Sequence, residues 1–413
     1  LFYKETNFKD TKIGRIPKEW EVVKLKNICV LIRGTEPGSK KYNNKGIGFR
    51  FIRVSDISKQ ILEPIFVDEK PENLSFCHKE DVLLTLDGVP GIVAKGMEGA
   101  ISSGIRIVKP VNKINNDFLF YILQHSTVQK VIANYTIGTT IKHASRAIDF
   151  ITLPLPSLRE QQKIAEILSI VDEAIQKTNE IITKTERLKK ALMQELLTKG
   201  IGHKEFKDTE IGRIPKEWEV VKLGDVARIK RGASPRPKGD PKYFGGDIPW
   251  IKISDLSKYK KSIYLQATDD TVTEEGKKRS VYVEDESLII SNSGTIGEPA
   301  IVKTGHGGCI HDGLILLTSL TKVEKLFLYY FFEHKKEKFQ MQSQKGTQGN
   351  MNTTLWRMVK LPLPPIEEQQ KITKVLLTVD KKLELERNEK AKLERIKQGL
   401  MDLLLTGKVR VRL

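Results

Sequence analysis

Polar and apolar positions change their period twice along this chain. In two stretches, 1–152 and 203–360, apolar residues come in short β-branched runs closed off by Gly, Pro, Asp and Asn. The runs at 82–86, 105–108, 288–290 and 314–317 predict strands joined by turns, and residues 118–129 and 326–339 are helical in period and sit at equivalent places. After each stretch the texture changes. Between Ser157 and Lys199 proline and glycine vanish, and apolar residues recur every seven: Ile164, Leu168, Val171, Ile175, Ile182, Leu192 and Leu196, with Thr178, Thr185 and Lys189 as weak members. Residues 366–406 repeat that register with Ile372, Leu376, Val379, Leu383, Leu393, Leu400 and Leu404. About 40 helical residues rising ~1.5 Å each span roughly 60 Å. A helix that long with so narrow a stripe is marginal alone. Its cover is either the other helix, packed antiparallel, or its own globular stretch. Neither globular stretch looks large enough, so the helix pair is the expectation.

The chain is also written twice. Residues 8–25 read FKDTKIGRIPKEWEVVKL and residues 206–223 read FKDTEIGRIPKEWEVVKL, 198 positions on and differing only in Lys12 against Glu210. LPLPSLREQQKI at 153–164 returns as LPLPPIEEQQKI at 361–372, now 208 positions on, so the second copy gains 10 residues between these landmarks. Weaker echoes lie between them: FIRVSD at 51–56 against WIKISD at 250–255, and Gly88 with Gly91 against Gly294 with Gly297. A fixed frame around a varied interior suits two domains doing one task on different targets; a duplication with one degenerate copy is the plainer alternative. The fold predicted is α+β. Two strand-rich α/β domains, 1–152 and 203–360, stand in tandem, joined and spaced by an antiparallel coiled-coil pair of long helices within 153–202 and 361–413.

Charge then narrows the class of partner. Lys and Arg number 70 against 52 Asp and Glu, a formal net charge of +18, and a field of that sign draws polyanions. Nucleic acid leads; a surface of ion-pair networks from a heat-loving source is the alternative. No run approaches the ~20 apolar residues that cross a bilayer, and nothing at the start reads as a secretion signal. Three scattered cysteines, Cys29, Cys77 and Cys309, fit a reducing compartment. A cytoplasmic protein with no membrane partner is expected.

Catalytic motifs are missing where they would be needed. Asp240-Pro-Lys-Tyr243 lacks the second proline of the tetrapeptide with which DNA methylases grip a flipped base, and no glycine-rich cofactor loop accompanies it. No segment supplies the G-x-x-x-x-G-K-[ST] phosphate cradle of a nucleotide-driven motor. His306, Cys309 and His311 fall within six residues, but zinc usually takes four ligands and the first copy has no counterpart, so they read as turn residues. Glu333 and Lys335 mimic part of a nuclease signature on a predicted amphipathic helix, where such charges are ordinarily solvated. The expectation is a chain with no catalytic residue, metal or cofactor of its own.

The landmarks together resemble the specificity (HsdS) subunits of type I restriction-modification enzymes, over nearly the whole chain. The resemblance is carried by IGRIPKEW at 13–20 and 211–218, by LPLP followed by EQQKI before each long helix, by PWIKISD at 249–255 and by LLTG at 404–407. It implies two target-recognition domains, each reading one half of a bipartite double-stranded DNA site, and a helix pair that sets the unread spacer. It further implies docking with two methylase subunits, which hold S-adenosylmethionine, and with ATP-driven nuclease-translocase subunits. The first helix closes on Thr-Lys-Gly at 198–200 where the second has Thr-Gly-Lys at 406–408, a small departure from the pattern.

A DNA reader needs cations for phosphates and amides or hydroxyls for base edges on exposed loops. In the second copy the basic, proline-stiffened loop carrying Lys230, Arg231, Arg236, Lys238, Lys242 and Tyr243 answers that need; in the first, Arg33, Lys40, Lys41, Tyr42 and Lys45 do. Gln344, Lys345, Thr347, Gln348 and Asn350 form a second candidate, paired with Thr139, Thr140, Lys142, His143 and Arg146; Asn292, between Ser291 and Ser293, is a third. Solvated basic or amide-rich loops are the plainer reading of each. Two rivals of other classes remain: a scaffold that joins proteins through its helix pair and binds nucleic acid without choice, and a self-contained DNA methylase. If Arg236 meets a base, Arg236→Ala relaxes choice at one position of one half-site at a cost of ~1–3 kcal/mol, read by mapping methylated sites.

Overall fold

The computed structural model describes residues 2–59, 63–111, 113–344 and 351–412. Its helices include α1 (Asn116–Gln124), α2 (Ser126–Asn134), α3 (Leu158–Leu196), α4 (Lys325–Gln344), α5 (Thr353–Met358) and α6 (Ile366–Leu404). Contacts divide the chain into two compact units, Leu1–Lys177 with Ala391–Leu413, and Thr178–Lys390. Each unit thus owns one globular head together with a part of α3 and a part of α6. Among the described residues no helix is long and apolar enough to cross a membrane.

The repeated landmarks are the two sides of one frame. In unit 1, Phe8–Thr11 pairs with Gly14–Pro17 as a hairpin, and Glu21–Lys24 pairs antiparallel with Thr152–Leu155, Val23 opposite Leu153. In unit 2, Phe206–Thr209 pairs with Gly212–Pro215, and Glu219–Lys222 with Lys360–Leu363, Val221 opposite Leu361. The opening motif and the LPLP motif therefore touch. Their prolines are tolerated because a two-stranded pair is all edge. Trp20 and Trp218 are almost fully enclosed, and each indole Nε1 donates to a glutamate in the first turns of the long helix, Glu160 at 3.1 Å and Glu368 at 2.9 Å.

Inside the frame, unit 1 builds a four-stranded antiparallel sheet in the order Val93–Ala94, Val82–Thr85, Ile105–Pro110, Cys29–Arg33. A second sheet of five strands holds Phe49–Ile52 parallel to Gly99–Ile101. Unit 2 repeats the plan with Arg228–Arg231, Leu314–Thr318, Leu288–Ser291 and Pro299–Val302 in one sheet, and Phe244–Ile251 parallel to Gly308–Ile310 in the other. The expected strands are all present. The helix expected over 118–129 is two, because His125 ends α1 and its ring Nδ1 caps α2 through Thr127.

Both coverings of the helical stripe turn out to operate at once. In unit 1, Ile164, Ala165 and Leu168 of α3 share one core with Met401 and Leu404 of α6 and with Leu119, Ile122 and Val128 of the head. In unit 2, Met193 of α3 and Ile372 and Leu376 of α6 share a core with Trp218, Phe327 and Phe331. The start of one helix lies beside the end of the other, which is the antiparallel pairing. The stripe members Thr178 and Thr185 are also enclosed, each 7% exposed.

In each unit an aspartate next to the stripe is gripped from two sides. Tyr121 of α1 donates to Asp172 of α3 at 2.9 Å, and Lys397 of α6 reaches the same carboxylate at 2.7 Å. Tyr330 of α4 donates to Asp380 of α6 at 2.8 Å, and Lys189 of α3 reaches it at 2.6 Å.

Two imidazoles, the buried His125 and the half-buried His334, make stability depend on pH. Burial pushes His125 below its usual range against the pull of Asp402, whose carboxylate lies 3.2 Å away, and burial pushes His334 down to about 4. In the unfolded chain both titrate near ~6.5. Stability is therefore full above that value and falls as pH drops from it toward about 4, since the unfolded state then binds more protons. Melting temperature measured between pH 7 and pH 4 should fall, and the fall should be shallower in His334→Gln.

Candidate nucleic-acid interface

Four segments meet at one end of each head, and the same backbone bonds join them in both copies. Strand Cys29–Arg33 runs into Gly34, and strand Arg228–Arg231 into Gly232. A Cβ at Gly34 would stand 2.1 Å from the Ser102 carbonyl oxygen, and one at Gly232 would stand 2.2 Å from that of His311. Only glycine lets the chain press so closely on the neighbouring turn. Arg33 Nε then donates to the Ser103 carbonyl at 3.4 Å, and Arg231 Nε donates to the Asp312 carbonyl at 2.8 Å.

A third segment joins through its backbone. Leu86 N–H donates to Gly104 and Asn292 N–H to Gly313, both at 2.9 Å. It turns on a hydroxyl: Thr85 Oγ1 accepts from Ile92 N–H and Ser291 Oγ from Glu298 N–H, each at 2.9 Å. The fourth closes the junction, with Ala144 N–H on the Leu86 carbonyl at 2.7 Å and Met351 N–H on that of Asn292 at 2.9 Å. The starts of the basic loops at Arg33 and Arg231, the third candidate, and residues Ala144 and Met351 thus belong to one place per unit.

The side chains at that place differ between copies. In unit 1 the buried Arg106 reaches Asp87 at 3.4 Å and Ser145 at 3.0 Å, and His143 bonds the other oxygen of Asp87 at 2.8 Å. Burial lowers the Arg106 pKa, and the Asp87 carboxylate opposes that shift. In unit 2 the corresponding strand position is the fully buried Ile315, and polar work passes to the turn. Asp312 accepts from Ser234 Oγ at 2.8 Å. Its carboxyl is held low against burial by that bond and by the charges of His311, Arg231 and Arg236. A cavity of about 480 Å³ opens beside it, lined among others by Arg236, Lys238, Phe244, Trp250, Lys252 and His311. Burial pushes the His311 imidazole down, helped by Lys238, Arg236 and Lys252 and opposed by Asp312.

The residues singled out by sequence divide by exposure. Arg33, Lys40, Lys41, Lys45, Thr139, Thr140, Lys142 and Arg146 are exposed in unit 1, as are Lys230, Arg231, Arg236, Lys238 and Lys242 in unit 2. Lys41 is ion-paired with Glu69, and Tyr42 rests its ring on Phe51 and bonds Glu36. Tyr243 is buried, its ring beneath Lys242 and Arg279. Asn292 is 2% exposed and serves the junction through its backbone. Gln344 is the last residue of α4; Lys345, Thr347, Gln348 and Asn350 lie outside the described residues. Cys309 is buried in its strand, the His306 carbonyl accepts from Tyr282, and the His311 ring accepts from Gly313 N–H at 2.9 Å. Lys335 is half-buried, and Glu333 pairs with Lys260 and Lys336.

Sequence reasoning missed the Ser103 and Asp312 turns and the Arg106 network. A signal for the first was present: Arg33-Gly34 and Arg231-Gly232 keep the 198-position offset of the opening motif.

A family model described as the type I restriction modification DNA specificity domain matches residues 17–187 and 215–395. The MjaVIII type I restriction enzyme specificity subunit of Methanocaldococcus jannaschii is 32% identical over 458 residues, covering 100% of this chain and 98% of that one. The crystal structure of a type I restriction-modification S subunit from M. genitalium has the same fold, with a TM-score of 0.58 at 15% identity over 94% of this chain and 96% of that one. A chain from a structural study of type I system assembly and conformational transition gives 0.56 at 18% identity, over 95% and 99%.

Gly232→Ala is expected to cost ~1–3 kcal/mol of stability through overpacking against the His311 carbonyl and to weaken duplex binding more than an exposed substitution such as Lys258→Ala. Thermal melting and a binding titration check both.

Proposed function

We propose a function from one premise: this chain belongs to the type I restriction-modification DNA specificity family. It acts as the non-catalytic subunit that chooses the DNA site. Each unit reads one half of a bipartite duplex site through its four-segment junction, and the helix pair fixes the length of the unread gap and seats two methylase subunits. S-adenosylmethionine and ATP belong to the methylase and nuclease-translocase partners, in the cytoplasm.

The observation that carries this reading is the junction itself. The same backbone bonds recur in both units, while the exposed side chains beside them differ, Lys142, His143 and Arg146 in one against Arg236 and Lys238 in the other. One backbone presenting two different sets of side chains is what reading two different half-sites demands. The exposed cations around each junction, on a chain of net charge +18, supply the phosphate contacts.

Mapping methylated sites in cells that express this chain with its partners tests the proposal. A split motif with a constant gap is expected; a continuous motif, or none, overturns it. Affinity for the target duplex should also fall with added salt, with a slope in log units of about −0.9 for each phosphate neutralised. A scaffold that binds nucleic acid without choice would hold any duplex equally well and leave no split motif.

A further inference from the structure

Lys189 and Lys397 occupy stripe positions where apolar side chains belong, Lys189 three residues before Leu192 and Lys397 three before Leu400. Their side chains are only 17% and 20% exposed. Each ammonium meets Oδ1 of an aspartate on the opposite helix, at 2.6 Å for Asp380 and 2.7 Å for Asp172, while Oδ2 of that aspartate accepts from Tyr330 or Tyr121 of the head. Each ammonium also lies over the ring of the same tyrosine, at 5.7 Å and 5.6 Å. One triad is built twice with the helices exchanging roles: α3 gives the aspartate in unit 1 and the lysine in unit 2.

An apolar stripe that repeats every seven residues packs about as well after one helix slides by seven, about 10 Å along the axis. A lysine buried in the stripe does not. After such a slip each largely enclosed ammonium loses its partner, and so does the Asp380 carboxylate, 4% exposed against 32% for Asp172; a polar residue at a core position of paired helices is the best-attested way to specify register. We propose that Tyr121–Asp172–Lys397 and Tyr330–Asp380–Lys189 are positioning residues that fix the register of the helix pair, and through it the length of the unread gap, with no part in choosing bases. The gap clause rests on the function proposed above; the register clause stands without it.

The test replaces both triads by apolar residues of similar volume, Tyr121→Phe, Asp172→Leu, Lys397→Met, Tyr330→Phe, Asp380→Leu and Lys189→Met. Such a change to a buried ion pair commonly preserves stability. Spin labels at Leu188→Cys and Leu385→Cys, 52% and 70% exposed, report the register within unit 2, and the three native cysteines are buried and take no label. One label distance is expected in the parent chain and at least two populations in the variant. Methylation mapping with partners should show both half-sites unchanged and a second gap length. A folded variant with a single, unchanged distance overturns the proposal. A parent chain that directs its partners to no split motif sinks the function proposed above, and the label distances still decide the triads. If the sixfold variant does not fold, Lys189→Met with Asp380→Asn is read in the same way.

Discussion

A carboxylate enclosed among apolar side chains has to be met by donors, and for Asp380 in unit 2, as for the half-buried Asp172 in unit 1, the donors come from two different elements. Asp380, 3% exposed, takes a tyrosine from the head and a lysine from the other long helix. Leaving it without the lysine would strand charge in a poor solvent, at a cost of ~3–5 kcal/mol. Head, first helix and second helix are therefore assembled together or not at all. This explains why the two coverings of the helical stripe are not alternatives: the pair buries itself along its length, and each end is completed by a globular core.

What could be read in advance was whatever depends on local order or on repetition. The long helices announce themselves through a seven-residue stripe without proline or glycine, and the frame through near-identical copies. Side-chain surroundings were not readable, because they depend on residues far away in the chain. Lys189 looked like a weak stripe member, since its partner Asp380 lies 191 positions on. Tyr243 looked like a loop side chain and proves to be buried beneath Arg279, and Asn292 stands in a polar run yet sits inside the junction. The break at His125 escaped notice because the residues on either side keep helical period; only the ring capping Thr127 ends the run.

The two heads show how a fold keeps its backbone while changing its surface. Gly34 and Gly232 leave no room for a side chain, so the junction they anchor is fixed by sterics and indifferent to its neighbours' chemistry. A charged network around Arg106 then fills the place in one unit, and in the other a buried isoleucine takes that strand position while a cavity lined by both cations and aspartates opens beside the His311 turn. Neither solution disturbs the backbone bonds on which both depend.

The strand Phe2–Lys4 pairs with Val409–Val411, and Met401, Leu404 and Val411 belong to the core of unit 1. Unit 2 is one uninterrupted stretch, complete once residue 390 has left the ribosome. The head made first must wait for the segment Ala391–Leu413, made after the second head. During translation the order of closure is thus the reverse of the order of synthesis, and a ribosome that stalls after residue 390 releases one finished head and one lacking part of its core.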